Sequence, residues 1–209
     1  MNILAIGAHF DDIELGCGGA LAKHVAEGDT VYVYVATKSG YTSYNNIEIR
    51  SDSIAIREGE SAMLLLGAIL IQGDFKTLDV EFVDRLNVDI LKIVEGKEID
   101  TAYIHWRGDI HHDHASVSKA SLHSCRHVNR ILMYRSNWYH SSLDFRGNFY
   151  IDISNYMDKK RQIILEHKSE LERTNKKWIE FWDNEATNCG LKVGVRYAEV
   201  FEVVKWVQM

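Results

Sequence analysis

The 209-residue sequence contains no proline at all, against an average usage of about 5%, so none of its loops is stiffened by a fixed φ. Cysteine is scarce as well. Cys17, Cys125 and Cys189 are the whole set, and an odd, widely spaced trio indicates a reducing cytoplasm and no disulfide framework. Long apolar runs are missing too: Ala62 to Leu70, interrupted by Gly67, falls far short of the roughly 20 residues of a membrane span. The apolar run that starts at Ile3 has no basic leader and stops at the acid cluster after His9, so it does not read as a signal peptide. Positive charge is not concentrated: 24 Lys and Arg are scattered among 30 Asp and Glu, for a net charge of −6. That excludes nucleic acid as the main partner and gives no reason to expect stable membrane insertion. No Ser/Gly-rich linker, internal repeat or low-complexity tract divides the chain, so residues 1–209 read as one domain, within the roughly 250 residues that a single core serves.

What is present alternates strand with helix. Asn2 to Gly7 is a short apolar strand, and Leu15 to Glu27 has helical spacing. Thr30 to Ala36 alternates as a second strand, and Glu48 to Leu66 reads as a long helix closed by Gly67. Ala68 to Ile71, Asp100 to Ile104 and Arg130 to Tyr134 are further strands, with helices over Val80 to Glu95 and Ala115 to His127 between them. This order predicts an α/β fold: a mostly parallel, Rossmann-like sheet with helices on both faces, a three-layer sandwich. Ligands of such sheets bind beyond the carboxyl ends of the strands. The last third departs from the alternation, with a strand at Phe149 to Ile153, helix over Asn155 to Cys189 and β character from Tyr197 to Val207.

Two polar clusters fall at predicted strand ends. The first, Ala8-His9-Phe10-Asp11-Asp12, puts an imidazole and two adjacent carboxylates after the first strand. Both group types are zinc ligands, and a cation relieves the repulsion that adjacent carboxylates otherwise suffer. Taken alone, Asp11-Asp12 also reads as a helix cap with a first-turn acid. Gly16, Gly18 and Gly19 lack the G-x-G-x-x-G spacing of a dinucleotide site and read instead as positions of close backbone approach. The second cluster, His105-Trp106-Arg107-Gly108-Asp109-Ile110-His111-His112-Asp113-His114, follows the fourth long strand and can reach the same sheet edge. A solvated loop explains any one of these histidines, whereas the interleaved acids suit orientation of imidazoles around a metal. His24, His123, His127, His140 and His167 lack such a context and read as surface or hydrogen-bonded core residues.

Together, an A-H-x-D-D element after the first strand and a late H-x-D-H element resemble the LmbE-like, or PIG-L-like, zinc N-deacetylases. Arg57-Glu58-Gly59-Glu60, Leu66-Gly67 and Tyr197-Ala198-Glu199-Val200-Phe201 look like further landmarks, which extends the resemblance over nearly the whole chain. The family's two motif prolines are Phe10 and His112 here; neither position donates a ligand, so the departure bears on loop rigidity. The resemblance implies zinc held by His9, Asp12 and His114, with Asp11 as general base, a protonated His111 as electrostatic partner and Asp113 orienting His111. It also implies that Arg57 contacts substrate, although an exposed salt bridge explains that residue equally well. The implied reaction removes acetyl from an N-acetylated amino sugar, free or joined to a lipid, nucleotide or other small aglycone. Homo-oligomers are known among such proteins. Two other classes compete: a metal-dependent phosphoesterase, which calls for two metals and a richer ligand set, and a non-catalytic sugar-binding or scaffold protein, which needs neither Asp11 nor His111.

Overall fold

The computed structural model describes residues 1–208. Along the chain the elements are β1 (Asn2–Gly7), α1 (Asp12–Ala26), β2 (Thr30–Thr37), β3 (Tyr41–Thr42), β4 (Glu48–Arg50), α2 (Asp52–Leu66), β5 (Ile69–Phe75) and α3 (Asp84–Gly96). They continue with β6 (Thr101–His105), α4 (His112–Ser124), β7 (Arg130–Tyr134), β8 (Phe149–Asp152), α5 (Met157–Leu165), α6 (Lys168–Arg173), α7 (Lys177–Val193) and β9 (Ala198–Trp206).

Seven strands form one sheet in the order β5-β2-β1-β6-β7-β9-β8. The first five are mutually parallel, and β9 and β8 complete the sheet antiparallel. The parallel part has the doubly wound order, with its reversal between β1 and β6, so the loops after those two strands border the crevice where such sheets bind ligands. Helices cover both faces. Leu4 and Ile6 pack toward α3 and α4 through Leu86, Ile90, Val117 and Ala120. Ile3 and Ala5 pack toward α1, α2 and α5 through Cys17, Leu21, Ala62 and Ile163. Burial on both faces is why β1 reads as a continuous apolar run rather than an alternating one. No helix among the described residues is long and apolar enough to cross a membrane.

Several boundaries differ from the sequence reading: α1 and α4 start three residues earlier than expected, at Asp12 and His112, β5 runs on to Phe75 rather than ending at Ile71, and α3 starts at Asp84 rather than Val80. The helix expected from Glu48 starts at Asp52, because Ser51 caps it, accepting from the Ile54 N–H at 3.3 Å. Glu48–Arg50 instead pairs antiparallel with Tyr41–Thr42. The helical stretch from Asn155 is three helices, and Asn175 and Lys176, both at positive φ, turn the chain between α6 and α7.

Helix α1 is unusual in being lined by glycine where other elements press on it. A Cβ at Gly16 would lie 2.2 Å from the Tyr134 ring, and one at Gly19 would lie 2.7 Å from Ile153 Cδ1. Behind this helix runs a buried ion pair. Lys160 Nζ donates to Glu199 at 2.6 Å and to the Leu15 carbonyl at 2.7 Å, while the Glu199 carboxylate accepts from the Gly19 and Ala20 N–H groups.

Candidate metal centre and catalytic cleft

A cleft of about 310 Å³ opens over the β1 and β6 loops. His9, Asp11, Asp12, His111 and His114 share its floor. Asp12 is the first residue of α1, and its carboxylate turns back to accept from the Ala8 and His9 N–H groups at 3.1 and 2.7 Å. Asp11, the preceding residue, has φ 114°. Such a conformation costs a non-glycine residue about 1–3 kcal/mol and clusters at functional sites.

Hydrogen bonds fix which nitrogen of each histidine faces the centre. His9 Nε2 is 2.8 Å from Asp113 Oδ2, so it carries the proton and leaves the Nδ1 lone pair free. His114 Nδ1 is 2.9 Å from Asp109 Oδ2, which leaves its Nε2 free. Those two free nitrogens are 3.1 Å apart; His9 Nδ1 lies 3.5 Å from Asp12 Oδ2, and His114 Nε2 lies 3.1 Å from Asp12 Oδ1. Donor atoms of a zinc tetrahedron with bonds of about 2.0–2.1 Å sit about 3.3–3.4 Å apart, so the two ring nitrogens and the Asp12 carboxylate, which meets them through different oxygens, lie near the spacing the ion needs. Two ring nitrogens facing each other at this distance need a proton or a metal ion between them.

The electrostatics agree. Burial alone would lower both imidazoles, but bonds to Asp113 and Asp12 raise His9 to about 9. The charge of Asp12 and the bond to Asp109 likewise raise His114 to about 10, against its burial. Asp12 is itself held well below the ordinary carboxylate range, because His114 and His105 outweigh its burial. The floor attracts positive charge. Asp11 behaves oppositely: burial, then the charge of Asp12, push it up to about 7 despite Arg50 and His167.

Two expected roles need correction. Asp113 does not orient the His111 ring: its carboxylate binds His9 and the Leu78 and Val80 N–H groups, and only its backbone N–H reaches His111, at Nδ1. Nor is His111 a standing imidazolium, since burial and the neighbouring His114 and His9 press it down to about 4. Because Nδ1 accepts from Asp113, the proton of neutral His111 sits on Nε2, and the ring remains a donor without carrying charge.

Arg57 is not brought to the cleft. Its side chain is exposed on α2, while Arg50, read from sequence as helical and given no role, lines the cleft and is buried. Its guanidinium lies 3.4 Å from Asp11 Oδ2 and 2.9 Å from Glu58 Oε2. Three more residues, His105 and Asp109 of the second cluster and His167, read from sequence as a surface or hydrogen-bonded core residue, had no individual role and acquire one in the structure. Asp109, also held by Asn137, sets the His114 tautomer. His105 stacks on His114 with centroids 4.2 Å apart and reaches Asp12 at 3.2 Å. His167, wholly buried, binds Glu14 at 2.7 Å beneath Asp11. The acid interleaved between His105 and His111 was the available signal for Asp109; nothing local marks Arg50.

The missing motif prolines are replaced by specific contacts. Phe10 is buried against Gly59, and its N–H donates to Ser39 Oγ at 2.8 Å, a bond proline cannot make. His112 is the first residue of α4, where proline is tolerated but not required.

Comparison with known proteins converges on one family. The uncharacterized deacetylase YaiS of Escherichia coli K12 is 34% identical over 184 residues, covering 80% of this chain and 91% of YaiS. Diacetylchitobiose deacetylase of Thermococcus kodakarensis is 24% identical over 217 residues, covering 95% of this chain and 81% of that protein. The crystal structure of GalB, the 4-carboxy-2-hydroxymuconate hydratase of Pseudomonas putida KT2440, superposes with a TM-score of 0.82 at 15% identity, covering 100% of this chain and 98% of that one. A hydratase on this fold means that the fold alone does not select the reaction. The family model described as GlcNAc-PI de-N-acetylase matches residues 4–125, which include both halves of the cleft floor, and the chain belongs to that family, PIG-L.

Proposed function

We propose that this protein is a zinc-dependent N-deacetylase acting on an N-acetylated amino sugar or a small conjugate of one. The observation that carries the reading is the convergence of His9 Nδ1, Asp12 and His114 Nε2, each histidine held from behind by an acid, beside the raised carboxyl of Asp11. Zinc, when bound by these three, supplies a Lewis acid and a water of pKa near about 7. Asp11 takes a proton from the attacking water as its oxygen bonds to the acetyl carbonyl carbon. Negative charge then grows on the carbonyl oxygen, where the His111 Nε2–H is available to donate. Asp11 returns its proton to the amide nitrogen as the C–N bond breaks, releasing acetate and a free amine. Arg50 keeps the Asp11 carboxylate in place.

An amino-sugar substrate is supported by the relative that acts on diacetylchitobiose and by the family description. The cleft agrees with it: the aromatic faces of Tyr41, Trp138 and Trp178 stand among the polar Asn137, Glu170 and Arg173, an apolar wall with a few placed polar groups. Cytoplasmic residence is consistent with three free, buried cysteines. The test is acetate release from N-acetylated sugars by zinc-loaded protein and by Asp11→Asn. The variant should keep stoichiometric zinc and lose about 10²- to 10⁴-fold in turnover; substantial activity in the zinc-loaded variant would remove Asp11 as the base.

A further inference from the structure

Glu14 and His167 form a buried pair that the proposed reaction does not use. Glu14 lies on α1 and His167 at the N-cap of α6, both shut off from solvent, with His167 Nε2 2.7 Å from Glu14 Oε1. A buried pair of ionisable groups is weak evidence for stability, because well-packed apolar side chains of similar volume commonly serve as well or better. Its other contact points toward the cleft: His167 Nδ1 is 3.4 Å from Arg50 Nη2. A guanidinium only donates, so this contact is a hydrogen bond when Nδ1 is bare and the ring proton sits on Nε2, facing Glu14.

Arg50 is the link to the base. Its Nη2 also donates to Glu58 at 2.9 Å, and its Nη1 lies 3.4 Å from both Asp11 Oδ2 and the Phe10 carbonyl oxygen. The buried Nε has no partner among the described residues. The guanidinium is thus gripped at Nη2, by His167 and Glu58, and presents Nη1 to Asp11. That last contact is long enough for a small rotation at Nη2 to end it. Glu58 is in turn tied to the same stretch of chain as His167, accepting from the Ser169 N–H at 2.8 Å and from its hydroxyl at 2.6 Å. The start of α6 therefore secures both acceptors of Nη2, and further along the same helix supplies Glu170 and Arg173 to the cleft wall.

We propose that His167 is a positioning residue for the hydrolysis: backed by Glu14, it fixes the Nη2 end of Arg50 so that Nη1 stays on the Asp11 carboxylate. This rests on the N-deacetylase reading, in which Asp11 is the base. The pair then acts on the rate through Asp11 and not on the metal, because its bonds lead to Arg50 rather than to His9, Asp12 or His114.

The test replaces the whole pair by apolar side chains of similar volume, in the double variant Glu14→Met with His167→Leu, and follows acetate release from N,N'-diacetylchitobiose by the zinc-loaded full chain. The melting temperature and one zinc per chain should hold, while kcat falls about 10- to 100-fold, the effect of a catalytic group displaced by about an ångström, with little change in KM. His167→Gln offers a donor to Glu14 and an acceptor to Arg50 without an ionisable ring, and should recover most of that loss. In an Asp11→Asn background the double replacement should cost no more than about twofold further, because the group it positions is gone. A pair that only supports the fold would cost the same in either background. Wild-type turnover in the folded, zinc-loaded double variant, no recovery in His167→Gln, or full additivity with Asp11→Asn overturns the proposal. If the double variant does not fold, His167→Asn decides: its shorter amide does not span from Glu14 to Arg50, so it should turn over about tenfold more slowly than His167→Gln, and equal rates overturn the proposal. A wild type that releases no acetate removes the N-deacetylase reading alone. Crystal structures of the wild type and His167→Asn then decide the positioning, since Arg50 Nη1 should leave Asp11 in the variant and an unmoved guanidinium overturns it.

Discussion

Helix α1 has a histidine–carboxylate cluster at each end. At its start, His9, Asp12 and His114 meet; at its finish, His24 lies 2.7 Å from Asp29 and 2.9 Å from the Tyr103 hydroxyl. Glu27 joins the latter group closely enough that the three side chains could hold a cation. The compositions are alike and the chemistry is not. Both ring nitrogens of His24 already have partners, so that cluster is complete as it stands. At the other end, His9 and His114 each spend one nitrogen on an acid behind them and turn the other toward the neighbouring ring and Asp12. A candidate metal centre is thus marked by ring nitrogens that converge on one point rather than by a count of histidines and acids.

The comparison breaks most sharply on the metal itself. His114→Ala should lose both bound zinc and turnover, whereas His24→Ala should retain zinc at one per chain; metal analysis of the two purified variants decides it, and zinc lost equally from both would erase the distinction. A smaller but still large effect is expected at His111, where alanine should lower turnover about 10²- to 10³-fold with zinc retained. The pH profile sharpens the same point. Asp11 works as a base only when ionised, so activity should fall as pH drops below about 7, the value to which its carboxyl is raised; zinc's positive charge shifts this inflection downward. His111, pressed down to about 4, is already neutral there, so no loss should accompany the rise from pH 6 to 8. A decline across that interval would restore the imidazolium. Asp113→Asn should weaken zinc binding about 10- to 100-fold through its effect on His9, measurable by chelator competition. The smallest effect is stability in His24→Ala, about 1–3 kcal/mol from the buried Tyr103 hydroxyl left without its partner while Asp29 keeps the N-terminal amine, read as a melting point lowered by several degrees.

How much of this was legible in the sequence follows from how local each feature is. His9, Asp11 and Asp12 lie within four residues after a strand whose unbroken burial gives it an apolar run, and the parallel order brings the His111–His114 segment beside them. The direction of each bond was not legible. Whether Asp113 serves His9 or His111 depends on the loop after β5, which reaches over to bind the same carboxylate through Leu78 and Val80. Arg50 was hidden because a two-strand pairing, not a helix, carries it, and that pairing has no periodicity of its own. Arg57 was placed by motif, yet the helix turns it outward. The aromatic wall of Trp138 and Trp178 comes from the last third, beyond residue 125, where no pattern linked it to the floor.

The glycines of α1 have one more implication, which concerns how the molecule comes together. Gly16, Gly18 and Gly19 each cost a helix about 1 kcal/mol relative to alanine, so this segment has little tendency to be helical by itself. What holds it arrives later in the chain: Tyr134 from β7, Ile153, Ile163 and Lys160 from the region of α5, and Glu199 from β9. The residues that begin the catalytic floor are therefore synthesised before the elements that pack against their helix. A nascent chain that has not yet reached Glu199 has every histidine of the centre but lacks the carboxylate that accepts from the Gly19 and Ala20 N–H groups of the helix carrying Asp12.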